Sequence, residues 1–137
     1  MQPHGILETI IYADDLSEIK QFYSEVLGLD VVDDDPPHHI FFRCGDSLFL
    51  VFNPHKSIDQ ETEVDGTLIP QHGAHGPCHM AFRVNAEELP AWKEKLSAHH
   101  VPIESEINWP NGGKSLYFRD PVGNSIELAT AKLWGVG

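Results

Sequence analysis

The sequence predicts an α+β fold in which one chain of 137 residues holds two tandem β-α-β-β-β modules. Three observations carry this prediction. Apolar patterns occur in the same order in residues 6–52 and in residues 78–130. Each copy surrounds one helix of apolar periodicity with strands of alternating polarity. The turns Gly45-Asp46 and Gly123-Asn124 also precede the last strand of each copy. We therefore interpret the chain as a duplicated module.

The first module begins with a predicted strand at residues 6–12, followed by a helix that Asp15 caps. The helix carries apolar residues at intervals of three and four, the spacing of one buried helical face. Three strands follow, and Gly45-Asp46 makes the hairpin turn between the last two. These strands are predicted at Leu29–Val32, His39–Cys44 and Ser47–Phe52.

The second module repeats this order, with a strand at Cys78–Val84 and a helix that Asn85 and Glu88 cap. An offset of 71 residues aligns Glu8 with His79, and a later offset of 78 aligns the two Gly-containing turns. The remaining strands are predicted at Ile103–Ile107, Ser115–Arg119 and Ser125–Thr130.

Residues 53–77 form the predicted linker between the modules. They contain Pro, Gly and acidic residues and show no periodicity. Connections of this length without regular structure are uncommon inside a compact domain. Two interpretations remain open: a solvated crossover, and a flap whose His72 end reaches the active site.

Charge and cysteine content narrow the classes of partner and the compartment. The chain has 9 Lys and Arg against 21 Asp and Glu, a formal charge of −12, which disfavours nucleic acid and anionic membranes as partners. No apolar run approaches the ~20 residues of a membrane span. Cys44 and Cys78 are too few for a disulfide scaffold, so we expect reduced thiols and a cytoplasmic protein.

Three residues are candidate metal ligands because of their places in the strands. Glu8, His79 and Glu127 lie mid-strand among apolar neighbours. A carboxylate there is costly to bury unless it is paired or binds a cation. The alternative is an edge-strand residue that faces water. Strand alternation points Cys78 away from His79, which disfavours a Cys-His catalytic pair.

Two stretches of sequence resemble the vicinal-oxygen-chelate superfamily: DDLSEIKQFYSEVLGLDV in the first module and SLYFRDPVGNSIELAT in the second. Members of that superfamily include glyoxalase I, fosfomycin-resistance thiol transferases, extradiol dioxygenases and bleomycin-resistance proteins. The resemblance covers about residues 6–130. It implies that the eight strands of the two modules curl into a cup-shaped sheet, in a single domain of this superfamily spanning residues 1–137.

The resemblance also implies a ligand set. Glu8, His79 and Glu127 fall on its metal-ligand positions, whereas the remaining position falls on Phe49, which cannot bind a metal. One imidazole and two carboxylates favour Mn²⁺, Fe²⁺, Mg²⁺, Ni²⁺ or Zn²⁺. The implied function is a metal-dependent enzyme that stabilises an oxyanion or enolate of a small substrate with vicinal oxygens. Isomerisation by a lyase, thiol transfer and oxygen-dependent cleavage all remain open.

Further residues are candidates for contact with the substrate. Tyr117 matches a substrate-contacting tyrosine of the fosfomycin enzymes, so it is a candidate catalytic hydrogen-bond donor or weak acid; a packed strand tyrosine is the alternative. Trp109 and Lys114 offer an aromatic ring and a cation, which would suit an oxygen-rich or anionic substrate. The candidate substrate-binding residues are His72, Trp109, Lys114, Arg43 and Phe49.

The competing function is a metal-independent protein of the bleomycin-resistance type that sequesters a cationic drug. A charge of −12 suits a cation, but proteins of that type have lost the metal ligands, whereas three candidate ligands stand here. The resemblance also implies a homodimer, with each site built either within one chain or across two subunits.

Overall fold

The computed structural model describes residues 1–136 and divides them into two compact units. Unit 1 covers Met1–Gly76, and unit 2 begins at Pro77. Each unit contains one four-stranded sheet with the β-α-β-β-β order of its module. The predicted α+β fold and its duplication are confirmed, and the eight module strands form two four-stranded sheets.

In unit 1, β1 (Glu8–Tyr12) is followed by helix α1 (Leu16–Gln21), which continues into a π-helical turn at Phe22–Val26. The sheet has the order β1-β4-β3-β2, and β1 runs parallel to β4. Strand β1 therefore lies at the sheet edge. The remaining strands are β2 (Asp30–Asp35), β3 (His39–Cys44) and β4 (Ser47–Phe52).

The predicted linker, residues 53–77, has regular structure of its own. Its first residues form the short helix α2 (Pro54–Ser57), which Asn53 caps by accepting a hydrogen bond from the backbone N–H of His55 at 3.0 Å. A small hairpin of β5 (Thr62–Val64) and β6 (Thr67–Ile69) follows. These elements belong to unit 1.

Unit 2 repeats the topology, with the sheet order β7-β10-β9-β8 and β7 parallel to β10. Asn85 and Glu88 form the predicted capping box ahead of helix α3 (Leu89–Ala98). The strands are β7 (His79–Val84), β8 (Ser105–Asn108), β9 (Lys114–Arg119) and β10 (Ser125–Thr130). The chain then forms a 3₁₀ turn at Ala131–Trp134.

One face of each sheet forms the core of its unit. In unit 1, Tyr23 of the π-helical turn packs against Phe42 and Phe49, with ring centroids 5.8 and 4.7 Å away. In unit 2, the fully buried residues Phe118, Ile126 and Leu128 share one face of β9 and β10. Because side chains alternate along a strand, the intervening residues face the other way. Of the candidate site residues, His79, Tyr117 and Glu127 lie on that second face of the unit 2 sheet.

Candidate functional site

His79 and Glu127 lie together on the second face of the unit 2 sheet. His79 begins β7, and Glu127 lies in the centre of the neighbouring strand β10. The imidazole Nε2 of His79 is 3.2 Å from the carboxylate Oε2 of Glu127. The His79 side chain is 51 % exposed, whereas that of Glu127 is only 7 % exposed. Solvent and ligands therefore reach this pair from the imidazole side.

The other ring nitrogen of His79 determines which atom is available for a ligand. Nδ1 lies 3.0 Å from the backbone carbonyl oxygen of Ser125. A carbonyl only accepts, so Nδ1–H must donate, and a neutral imidazole then carries its lone pair on Nε2. This hydrogen bond also orients the ring, in the way that backbone carbonyls orient metal-binding histidines.

A chain of buried hydrogen bonds holds the Glu127 carboxylate. Its Oε1 accepts a hydrogen bond from the hydroxyl of Ser115 at 2.5 Å. The same hydroxyl oxygen accepts one from Nε1–H of Trp109 at 2.9 Å. Ser115 is fully buried, so water does not compete for these bonds. The carboxylate is thereby fixed with Oε2 turned toward His79.

Tyr117 completes this cluster from β9. It is the direct cross-strand neighbour of Glu127, and its ring stacks on that of His79 with centroids 6.1 Å apart and planes inclined by 22°. Burial, and next the hydrogen bond to Glu127, raises the pKa of Tyr117 above its usual 10.0. The phenol therefore stays protonated at neutral pH and acts as a hydrogen-bond donor.

The His79–Glu127 geometry fits a cation. With Nδ1 protonated, the lone pair of a neutral Nε2 faces a carboxylate oxygen 3.2 Å away, and two electron-pair donors at this distance repel each other. A proton on Nε2 or a metal ion bound by both atoms removes the repulsion. The donor types suit a divalent metal. Within residues 1–136, neither unit by itself gathers three side chains of the metal-binding types.

Glu8 lies at the start of the edge strand β1 in unit 1 and is exposed. Strand register puts Leu48 and Arg43 beside it in a row across β4 and β3, with Arg43 about 10 Å away at two strand spacings. Arg43 is exposed on the same face. A carboxylate and a guanidinium therefore share one end of this face.

Phe49 was expected at a metal-ligand position and in contact with substrate, and the structure places it elsewhere. It lies on the opposite face from Glu8, is 2 % exposed and packs between Tyr23 and Phe42. In strand register, Leu50 rather than Phe49 takes the place in unit 1 that Glu127 takes in unit 2. Phe49 belongs to the core, and the corresponding position holds an apolar residue.

Lys114 also differs from its expected place. It begins β9, where alternation puts it on the opposite face from Ser115 and Tyr117. Its backbone N–H donates to the hydroxyl of Thr130 at 3.0 Å. The structure thus connects Trp109 with Glu127 through Ser115 but does not bring Lys114 to that cluster.

His72 lies in unit 1. Its Nδ1 is 2.6 Å from the hydroxyl of Tyr12, and its ring meets Phe52 edge-on, with centroids 4.6 Å apart. His72 lines a cavity of about 270 Å³ that belongs entirely to unit 1. The segment that carries His72 therefore folds onto this cavity.

Sequence patterns did not indicate the contacts of Ser115 and Tyr12. Ser115 has a detectable signal, because it alternates with Tyr117 in β9 and so shares a face with the proposed site. A single hydroxyl in an apolar strand is common, however, and only the register of β9 on β10 reveals its contact with Glu127. Tyr12 shares the face of Glu8, but its partner His72 comes from a non-periodic segment.

Comparison with known proteins agrees with the fold and with the resemblance. The chain is 28 % identical over 120 residues to metallothiol transferase FosB of Staphylococcus saprophyticus, covering 87 % of this chain and 72 % of that protein. Identity to FosB of Bacillus licheniformis is 28 % over 131 residues, covering 95 % and 77 %. These relatives carry the names of enzymes, which supports the expectation of an enzyme.

A solved structure extends the likeness over the whole chain. The crystal structure of lactoylglutathione lyase from Agrobacterium tumefaciens has 40 % sequence identity and a TM-score of 0.90, and the match covers 99 % of this chain and all of that one. The family description Glyoxalase/Bleomycin resistance protein/Dioxygenase superfamily matches residues 5–128. The chain belongs to this superfamily.

Proposed function

We propose that the chain is a small enzyme that depends on a divalent metal and acts on a small substrate with vicinal oxygens. The observation that carries this proposal is the His79–Glu127 pair. Its imidazole presents Nε2 to a buried carboxylate, and a divalent cation bound by both atoms would satisfy this arrangement. Membership of the superfamily and its enzyme relatives supports the same conclusion.

Three residues would hold the metal: His79 through Nε2, Glu127 through Oε2, and Glu8 as a third ligand. Glu8 is proposed because it begins β1 as His79 begins β7 and because its carboxylate is exposed. One nitrogen and two carboxylate ligands suit Mn²⁺, Fe²⁺, Mg²⁺, Ni²⁺ or Zn²⁺. Such a cation, when bound, polarises neighbouring substrate oxygens and stabilises an oxyanion or enolate.

The chain's own residues would orient this site and supply a proton. Ser115 donates to Glu127 Oε1 and leaves Oε2 free for the ligand role. The carbonyl of Ser125 holds the His79 ring in one orientation. Tyr117, whose raised pKa keeps the phenol protonated, would donate a hydrogen bond to negative charge on the substrate. The pair of carboxylates would leave the site neutral around a divalent ion.

We also propose a homodimer in the cytoplasm. Ile6 and Leu7 are exposed next to the open edge strand β1, and Trp134 is 79 % exposed. Exposed apolar side chains of this size are suited to a subunit interface. Both cysteines are free thiols, which suits a reducing compartment. No helix within residues 1–136 is long and apolar enough to cross a membrane.

Metal binding tests the proposal directly. The purified protein, stripped with EDTA and reconstituted with Mn²⁺, Fe²⁺, Ni²⁺ or Zn²⁺, is expected to retain about one equivalent per chain after desalting. Glu127→Gln and Glu8→Gln should weaken binding more than about 100-fold. Glu94→Gln, at an exposed position of α3, is the matched control. Retention below about a tenth of an equivalent for every metal would contradict the proposal.

Activity then selects the reaction. The reconstituted protein is assayed with methylglyoxal–thiol adducts, with fosfomycin and a thiol, and with catechols under oxygen. Turnover of one substrate class, lost in Glu127→Gln and kept in Glu94→Gln, is the expected result. Binding of bleomycin without any metal, unchanged in Glu8→Gln and Glu127→Gln, would instead support the drug-sequestering alternative.

A further inference from the structure

The cavity of unit 1 is lined by residues of unit 1 alone. It has a volume of about 270 Å³ and lies between the sheet face of β3 and β4 and the segment that runs from α2 to His72. This is close to the lower end of the size range of small-molecule pockets. None of the three proposed metal ligands lines the cavity.

Aromatic rings form one wall of the cavity. The rings of His39 and Phe41 are stacked, with centroids 4.0 Å apart and planes inclined by 14°. Phe52 meets Phe41 edge-on at 5.3 Å. Both phenylalanines are only half-buried, so part of each ring is open to a ligand. An aromatic ring packs well against such surfaces.

The polar part of the lining carries positive charge and no negative charge. Lys56 belongs to the lining, and none of the residues that line the cavity is Asp or Glu. In a chain with 21 acidic residues, this separation favours an anionic group over a cationic one. The carboxylates of Asp33 and Asp35 lie beside the lining, where His39 and His38 pair with them.

His72 adds a directed hydrogen-bond donor. Burial raises the pKa of Tyr12 above its usual 10.0, so the phenol keeps its proton. In the tautomer that leaves Nδ1 of His72 unprotonated, the Tyr12 hydroxyl donates to that atom across 2.6 Å. A neutral imidazole in this tautomer carries its proton on Nε2, so Nε2–H is available to an acceptor. The Nε2–H of His39 is already taken by Asp33 at 2.7 Å.

We propose that this cavity binds a planar aromatic acid. Its ring packs against Phe41 and Phe52, and its anionic group is held by Lys56 and by Nε2–H of His72. Glu8 and Tyr12 lie on the same sheet face, at opposite ends of β1 and roughly 13 Å apart along the strand. The cavity lies near the Tyr12 end. The site therefore goes beyond the proposed metal chemistry, and it does not depend on a bound metal.

The test uses 2-naphthoate as the probe, with 2-naphthamide as its uncharged analogue and 2-naphthylmethylamine as its cationic analogue. Each is titrated into the ¹⁵N-labelled whole chain in EDTA, and binding is followed by amide chemical shifts. Because no metal is present, failure of the proposed metal site does not affect the result. We expect 2-naphthoate to bind most tightly and to shift the amides of residues 38–41 and 52–72.

Two variants measure separately how the aromatic contact and the charge contribute to binding. Lys56→Gln is expected to weaken 2-naphthoate about fivefold and to leave 2-naphthamide unchanged. Phe41→Leu is expected to weaken both about fivefold. Lys20→Gln, which removes an exposed lysine outside the cavity, should change neither affinity by more than about twofold.

Three results would overturn the proposal. One is the absence of binding by all three probes at millimolar concentration. Another is a higher affinity for the amine than for the acid, which would indicate a cation site. The third is binding of 2-naphthoate that Lys56→Gln and Phe41→Leu leave unchanged, which would place the probe elsewhere.

Discussion

The two units present the same sheet face with different chemistry. Aligned by strand register, the central row of unit 2 holds Ala81, Glu127 and Tyr117, and the same row of unit 1 holds Ile10, Leu50 and Phe41. In the next row, Arg83, Ala129 and Ser115 correspond to Tyr12, Phe52 and His39. One copy thus carries a polar cluster, and the other carries an aromatic wall.

This difference shows how a duplicated module can separate two tasks. The buried Glu127 needs partners, which Tyr117 supplies from the same row and Ser115 and His79 supply from neighbouring rows. The same row in unit 1 has no buried carboxylate and needs no such partners, so its side chains are free to pack or to line a cavity. The backbone is shared, and the side chains of one face decide what each copy can bind.

The largest expected contrast comes from exchanging residue types at the corresponding central position. Leu50→Glu should lower the free energy of unfolding by about 3–5 kcal/mol, because it buries a charge without a partner. Glu127→Leu should change it by less than about 1.5 kcal/mol, since the loss of a buried carboxylate offsets the stranded Ser115 hydroxyl. Urea unfolding measures both. Equal changes in the free energy of unfolding for Leu50→Glu and Glu127→Leu would contradict the proposed difference between the two central rows.

A smaller contrast concerns the outer row. Ser115→Ala should cost about 1–3 kcal/mol, because it leaves Glu127 Oε1 and the Trp109 N–H without their buried partner. His39→Phe keeps a ring in the corresponding place and removes only the exposed ion pair with Asp33, so it should cost about 1 kcal/mol or less. Thermal and urea unfolding provide the comparison. A smaller effect of Ser115→Ala than of His39→Phe would show that water replaces the hydroxyl.

The next contrast exchanges one hydroxyl in the central row. Tyr117→Phe removes the hydrogen bond to Glu127 and should cost about 1 kcal/mol. Phe41→Tyr adds a hydroxyl to a half-buried ring beside the cavity and should change stability by less than about 0.5 kcal/mol. Urea unfolding of the two variants measures the difference. A Tyr117→Phe protein as stable as the parent would indicate that the Glu127 carboxylate is satisfied without the phenol.

The smallest contrast is in pH dependence. The hydrogen bond from Arg119 lowers the pKa of Glu104 below its usual 4.5 in unit 2, and hydrogen bonds from Ser17 lower that of Asp15 below 3.8 in unit 1. Each depressed pKa stabilises the folded state above the ordinary pKa, and this contribution is lost as the pH falls through the folded value. Both carboxylates are exposed, so the effect is small.

A carboxyl NMR titration checks this prediction. Arg119→Gln should return the pKa of Glu104 toward 4.5 and leave that of Asp15 unchanged. A Glu104 pKa that does not rise in the variant would show that Arg119 is not the cause.

Sequence patterns predicted the strands and the capping residues well, because alternation and the Asp15 and Asn85 caps are local signals. They also singled out His79 and Glu127, whose ionisable side chains are unusual in apolar strands. The register between neighbouring strands was harder to predict from the sequence. The Gly-containing turns align at an offset of 78, which assigned Phe49 to the position that register gives to Leu50.

The cavity of unit 1 could not be predicted for a different reason. Its second wall comes from residues 56–72, where the sequence has neither helical nor strand periodicity. Helix α2 is a single turn, and β5 and β6 have three residues each. Such short elements are positioned by contacts with the sheet, such as that of His72 with Tyr12. Contacts between distant parts of the chain leave no local pattern.

The length of one turn has a consequence for how such a site could be gained or lost. Four residues separate Arg43 from its cross-strand partner Leu48, whereas five separate Arg119 from Ser125. As a result, Ser47 lies on the core face of unit 1, and Ser125 lies on the open face of unit 2 beside His79. A shift of one residue exchanges every side chain between the two faces. A single-codon deletion in the turn before β10 would therefore turn Glu127 toward the core without replacing either Glu127 or His79.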